Sequence, residues 1–381
     1  MRNVPAADPV FTVPAAPGPP PEIGYVAALT LPGESSGNVH DRASRRTLLT
    51  RTAELLGLAI RGEDGILQAE DTLFIPADAV EQSAAHQAGI ARAEQIFGGV
   101  VPAAFVATKA ITHGLLHPRA VQPPMWEVAM KEVMGDAALN GYTAFSRADA
   151  VAAGRLLLAN GPVRIKDVCA KAGLGQTVVH NEAELGNVLA QENDADLAQC
   201  GIVLEENLTD VVTYSVGTVE LGGSSISYWG SQNLTTDHHG REVYGGSDLY
   251  AVRGSLHDLV AEPLPPAIAR AVACADTFDR AARLAYPAMI LTRRNYDVIE
   301  GTDAAGRRRI GVLEQSWRVG GASGAEIAAF EAFRDEPGTK AVRCSTVEVY
   351  EEVDPPIGAT VYFHGVDPVV GAMTKYAVRL A

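Results

Sequence analysis

Three groups of residues in this 381-residue chain have types and spacing suited to chemistry. The first is GPVRIKDVCAKAGLGQTVV, residues 161–179, in which Lys166 ends a β-branched run and AGLGQ (172–176) follows. A lysine on a strand meets phosphate oxygens as a point charge, and glycines let loop amides close over the same anion. A glycine turn in a hairpin with a solvent-exposed lysine accounts for the same residues. The second is GIVLEENL, 201–208, where Glu205 and Glu206 end an apolar strand. An extended segment offers backbone N–H and C=O to a purine edge, and its acids suit ribose hydroxyls. An ordinary strand ending in solvated acids explains it more simply. The third is RRNYDVIEG (293–301) with RIGVLEQSWRVGGAS (309–323), two strands joined by GTDAAGRR, each placing an acid in an apolar run: Asp297 and Glu314. Buried carboxylates are costly unless paired or bound to a metal. Mg²⁺ takes a few carboxylates plus phosphate oxygens and water. Arg293, Arg294 and Arg318 are available as anion partners, and internal salt bridges from either acid to Arg318 are the competing explanation.

Other candidates carry less. Asp248 and Arg253 in GGSDLYAVRG could flank phosphates or be ordinary strand charges. His238 and His239 sit in the polar turn TTDHHGRE without the i, i+4 spacing of a helical metal site. His113 follows Lys109 by one helical turn and suits packing. Cys169, Cys200, Cys274 and Cys344 form no CxxC pair, which argues against a zinc site or a disulfide framework.

The elements that position these groups are readable in outline. Seven prolines in residues 1–22 predict a flexible leader. Strands over 24–33, 71–80 and 100–110 with a helix over 45–60 predict an α/β layer across 23–108. Ser146 with Asp149, and Asn181 with Glu184, are capping boxes that start helices on either side of a strand–glycine turn–strand unit. The second half reads as strands over 201–208, 213–221, 224–234, 289–299 and 307–319, with LGGS (221–224) turning a hairpin and 265–285 forming an alanine-rich helix.

Composition narrows the function. Forty-six acids against 31 Lys and Arg give a net charge of −15, which argues against non-specific nucleic-acid binding. It leaves room for an anionic small ligand held by a local cationic cluster. The first residues lack the apolar core of a signal peptide, and no apolar stretch is long enough for a membrane helix. A soluble, cytoplasmic protein is the expectation, with no membrane partner. No GxGxxG follows an early strand, which argues against a dinucleotide oxidoreductase.

The order strand-lysine, glycine loop, strand ending VLEE, long antiparallel stretch, then D…E-x-x-x-R-x-GG resembles the ATP-grasp superfamily. The segments TKAITHGL, GPVRIKD, VLEENL, YSVGTVELGG, YGGSDLYAVRG and LEQSWRVGGASGAE also resemble an uncharacterised bacterial family of unknown function sometimes labelled biotin-carboxylase-like. The resemblance implies an α+β fold in which two subdomains clasp a nucleotide, preceded by a small α/β domain. It divides the chain into 23–108, a lid subdomain at 109–204 and a second subdomain at 205–381. It places Lys109 and Lys166 on the nucleotide, with Gly173, Gly175 and Gln176 in the phosphate loop. Glu205, Glu206 and Leu208 become the adenine hinge, and Thr213 stands where an acid usually binds ribose. Asp297 and Glu314 become the metal ligands. Ser316 replaces the usual third ligand, Asn, and is a weaker neutral donor. Arg318, with Arg293 and Arg253, becomes the cationic partner of the reacting phosphoryl group, and Trp317 is an unusually bulky neighbour. The implied function is an ATP- and Mg²⁺-dependent ligase that activates a carboxylate as an acyl phosphate for an amine or other nucleophile, releasing ADP. A phosphotransferase and a nucleotide-binding protein without turnover are the alternatives. The partners implied are small molecules, and a homodimer is allowed because related folds are often dimeric.

Overall fold

The computed structural model describes residues 21–31, 37–62, 70–168 and 175–380. Most of the leader, Cys169 and Gly173 lie outside the described residues.

The N-terminal layer is a parallel sheet of β1 (Tyr25–Leu29) between β2 (Ala59–Ile60) and β3 (Thr72–Pro76). Its helix α1 (Val39–Leu56) starts six residues before the expected 45. The Asp41 carboxylate accepts the Asn38 N–H at 3.2 Å, fixing the start, and Gly57 at φ 69° ends the helix. β4 (Val80–Glu81) and β5 (Gly99–Val101) pair in parallel, flanking the short helix α2 (Gln82–Gln87). The strand expected over 100–110 stops at Val101 before Pro102, and Lys109 opens a 3₁₀ turn, Lys109–Thr112, capped by Thr108.

After α3 (Ala129–Met134) the chain forms a four-stranded antiparallel sheet in the order β6 (Gly141–Ala144), β9 (Ile202–Glu206), β7 (Val163–Asp167), β8 (Gln176–Val179). Helices α4 (Arg147–Leu158), α5 (Glu182–Ala190) and α6 (Asp194–Cys200) accompany it. Ser146 and Asn181 accept the N–H groups of Asp149 and Glu184, as their spacing predicts. β9 belongs to this sheet through Glu206, so the strand straddles the 204/205 boundary drawn from sequence.

The largest sheet has eight antiparallel strands. In spatial order they are β15 (Arg308–Ser316), β14 (Arg293–Thr302), β10 (Thr209–Leu221), β11 (Ser224–Thr236), β12 (Glu242–Arg253), β16 (Ala341–Val349), β18 (Gly371–Arg379) and β17 (Thr360–Asp367). The two-strand pair β13 (Ile290–Leu291) with β5 ties it to the N-terminal layer. The short α7 (Leu256–Val260) leads into α8 (Pro266–Ala285), whose Ile268, Val272, Ala275, Phe278 and Ala282 pack on one face against Val216, Val298 and Val312. The other face carries Val219, Ile226, Tyr228, Leu249 and Ala251 against α1, the N-terminal sheet and α9 (Ser323–Asp335).

β14 and β15 are not in perfect register. Asp297 lies opposite Glu314, but Val298 lies opposite Val312, so Leu313 is an extra residue: a β-bulge. Side chains alternate along a strand. Val298 and Val312 therefore enter the α8 core, while Asp297 and Glu314 emerge together on the opposite face. Among the described residues no helix is long and apolar enough to cross a membrane.

Candidate active site

A cleft of about 610 Å³ lies between the N-terminal layer, the 3₁₀ turn after Thr108 and the end of β15. Lys109, Glu314, Ser316 and Arg318 line it, with Asp78 across from them. Lys109 is 5% exposed, and its Nζ is 2.9 Å from Glu314 Oε2 and donates to the Asp167 carbonyl at 3.4 Å. One ammonium thus joins the large sheet to the end of β7, next to Lys166. Asp297 sits beside Glu314 and accepts from Gln232 Nε2 at 2.8 Å. Burial, then the facing Glu314 carboxylate, push the Asp297 carboxyl up to about 7. Two hard-oxygen donors that repel one another fit a divalent cation, which would relieve both burial and repulsion.

Ser316 fits that role less well. Its hydroxyl accepts from Arg293 Nη1 at 3.2 Å. Arg293, named from sequence as an anion partner, is itself 2% exposed and faces a fully buried carboxylate, Glu326 on α9, at 2.8 Å. Its Nη1 also donates to the carbonyls of Ser316 (3.1 Å) and Arg318 (2.6 Å). The side chain therefore holds the turn on which Ser316 and Arg318 stand and is not offered to the cleft. Tyr228 Oη donates to Glu326 at 2.6 Å and completes the network. Arg318 does not pair with Asp297 or Glu314 as the salt-bridge alternative required. Its Nε is 3.8 Å from Asp78, and burial lowers its pKa. Trp317 is buried in the α8 core, so it leaves its two neighbours facing the cleft. The following glycines are needed for close approach: a Cβ at Gly321 would lie 2.4 Å from the Tyr244 ring.

In the four-stranded sheet, Lys166 and Glu205 form a buried pair, Nζ to Oε1 2.5 Å. His113 Nε2 lies 3.0 Å from the other carboxylate oxygen. Burial raises the Glu205 pKa, but Lys166 and His113 overcome it and bring the carboxyl down to about 2. Burial lowers the His113 pKa against the pull of Glu205. Glu206 is also engaged: its carboxylate accepts the Asn140 N–H at 2.9 Å and meets Arg309 at 3.2 Å. It is thus a clasp between β9 and the large sheet, not a free acid awaiting a hydroxyl. Gly175 takes φ 67°, its carbonyl accepts the Asp167 N–H, and Gln176 accepts from Arg164 at 3.1 Å. Leu208 is buried, and Thr213 is half-buried opposite Ile299.

Arg253 does not join the group. Its guanidinium donates to the Phe333, Thr339 and Glu336 carbonyls and stacks 4.5 Å over the Phe333 ring, clasping the end of α9. Asp248 is spent on Ser345 and Asn233. Sequence reasoning missed Glu326 and Gln232 and left His113 as packing. The apolar positions Ile327, Phe330 and Phe333 were the available signal for α9, but nothing local pointed from Glu326 to Arg293.

Solved structures share this architecture. Biotin carboxylase from Campylobacter jejuni, in its β-γ-ATP complex, matches over 94% of this chain and 88% of that chain at 12% identity and a TM-score of 0.51. N5-carboxyaminoimidazole synthetase from Staphylococcus aureus, complexed with ADP, matches over 94% of both chains at 10% identity and 0.51. An ADP complex of N5-carboxyaminoimidazole ribonucleotide synthetase matches over 66% of this chain and 65% of that chain at 14% identity and 0.40. The fold is the ATP-grasp fold. No curated protein matches the chain. The model of the family described as "Protein of unknown function (DUF3182)" matches residues 28–377, and the chain belongs to that family.

Proposed function

We propose that this protein is an ATP- and Mg²⁺-dependent ligase that activates a carboxylate as an acyl phosphate and passes the acyl group to an amine or other nucleophile. The observation that carries the reading is the Lys109 bridge between Glu314 and the end of β7, with Asp297 alongside. It gathers a cation, the Glu314 carboxylate and Arg318 around one cleft, with Asp297 opposite Glu314 in the ladder. ATP brings about four negative charges to a chain at −15, and the repulsion must be offset locally. Lys109 and Arg318, which line the cleft, supply that offset, and Lys166 adds to it to the extent that it turns from Glu205 to the phosphates. Asp297 and Glu314 would hold Mg²⁺, which adds charge neutralisation at the phosphate oxygens. The substrate carboxylate oxygen bonds to the γ-phosphorus as the bond to the β–γ bridging oxygen breaks, and ADP leaves with that electron pair. The nucleophile then adds to the acyl carbon and phosphate departs. The chain contributes positioning and charge compensation.

The test is ADP and phosphate release over a panel of acids and amines, alongside thermal shift with Mg-ATP. Glu314→Gln should abolish release while the chain stays folded by circular dichroism; full turnover would remove Glu314 from the metal role. Release of AMP would overturn the acyl-phosphate scheme. The Arg293 hydrogen bond to Ser316 Oγ favours one second reading, a nucleotide-binding protein without turnover. Stabilisation by Mg-ATP with no ADP release from any acid would select it.

A further inference from the structure

A second cavity, about 400 Å³, opens on the other side of Arg318. Ser44 and Arg45 of α1 face it from one side, and the Gly320–Gly321 turn with Glu348 and Lys375 from the other. Its size is in the range of small-molecule sites. Arg318 lines this cavity and the cleft alike, so a ligand here would touch a side chain that also borders the cleft.

The charges around it are unevenly used. Glu348 is matched by Lys375 at 2.9 Å. Asp41 accepts the Asn38 N–H and lies 3.3 Å from His40. Arg45 is half-buried and makes no ion pair or hydrogen bond with any described residue. The Ser44 hydroxyl is sealed from solvent with no described partner. Arg318 donates one hydrogen bond, from Nη1 to the Val319 carbonyl at 2.9 Å, and lies 3.8 Å from Asp78. Arg45 and Arg318 thus keep donor capacity toward the cavity, and partly buried donors without acceptors are costly.

We propose that this cavity binds a small dianionic acid. One anionic group, carboxylate or phosphate, is held by Arg45, and the carboxylate to be activated lies at Arg318. The second half of this statement rests on the ligase reading; the anion site at Arg45 does not.

Calorimetric titration of succinate, phosphonoacetate and acetate into the Mg-ADP-loaded full chain tests it. At least one dianion should bind at least tenfold more tightly than acetate. A preference for phosphonoacetate identifies the distal group as phosphate-like, and a preference for succinate identifies it as carboxylate. Arg45→Ala should remove the advantage and Arg45→Lys should keep part of it, each with a wild-type circular dichroism spectrum. Equal binding of all three probes, or dianion binding unchanged in Arg45→Ala, overturns the proposal. Dianion binding that depends on Arg45, with no ADP release from any acid, leaves the anion site standing and removes the ligase reading.

Discussion

Arg293→Met should be among the most damaging single changes in this chain. The guanidinium and its partner Glu326 are 2% and 0% exposed, and no water competes for them. Glu326 overcomes the burial that would otherwise lower the Arg293 pKa, and holds it above its ordinary value. Truncating one side of such a pair leaves a charge in low dielectric and typically costs ~3–5 kcal/mol. Methionine keeps the length and apolar stem, so the loss falls on charge and hydrogen bonds rather than volume. The carbonyls of Ser316 and Arg318 lose a donor as well, and these losses are not additive with the first. Equilibrium urea unfolding is the assay. Adding Glu326→Leu to Arg293→Met removes the stranded carboxylate and should recover at least ~2 kcal/mol, because an apolar replacement of both partners is far better tolerated than half a pair. A cost below about 1 kcal/mol for Arg293→Met, or a double variant less stable than the sum of its singles, would refute this account.

Three further outcomes follow from the same geometry. The Glu205 carboxyl has a folded pKa of about 2 against 4.5 unfolded, so its contribution, on the order of 3 kcal/mol, is complete above pH 4.5 and lost as pH falls toward 2; Glu205→Gln should flatten that acid limb in urea titrations, and an unchanged limb counts against it. Lys166→Ala should weaken ATP binding at least tenfold by calorimetry, and unchanged affinity removes Lys166 from the nucleotide. Arg253→Ala should lower the urea midpoint by loosening the end of α9 while leaving Mg-ATP affinity at the wild-type value; a large loss of affinity would return Arg253 to the site.

What the sequence discloses here is mostly local. The caps at Ser146 and Asn181 are written in three residues each, and the β10–β11 turn in Gly222 and Gly223, both with positive φ. Lys109, Glu314 and Arg318 were legible through motif order, and the structure brings them to one cleft. Partner choice over long sequence separations was not legible. Arg253 beside glycines resembles an anion ligand, yet its acceptors are the carbonyls of a helix end 80 or more residues away. Arg293 has the composition of a phosphate clamp, and only the docking of α9 reveals that Glu326 has claimed it. Glu206 carries the same lesson, since Asn140 and Arg309 come from distant strands and loops.

The bulge at Leu313 puts slack into β15 just where the cleft begins. Val312 stays opposite Val298 and Glu314 opposite Asp297, and the residue between them is surplus to the ladder. Excising Leu313 would therefore keep the valine in the α8 core and the acid on the other face. What would change is the local bend and twist with which the last residues of the strand, Ser316 among them, are delivered to the cleft. One surplus residue thus sets the aim of the strand's end without setting which side chains face the core.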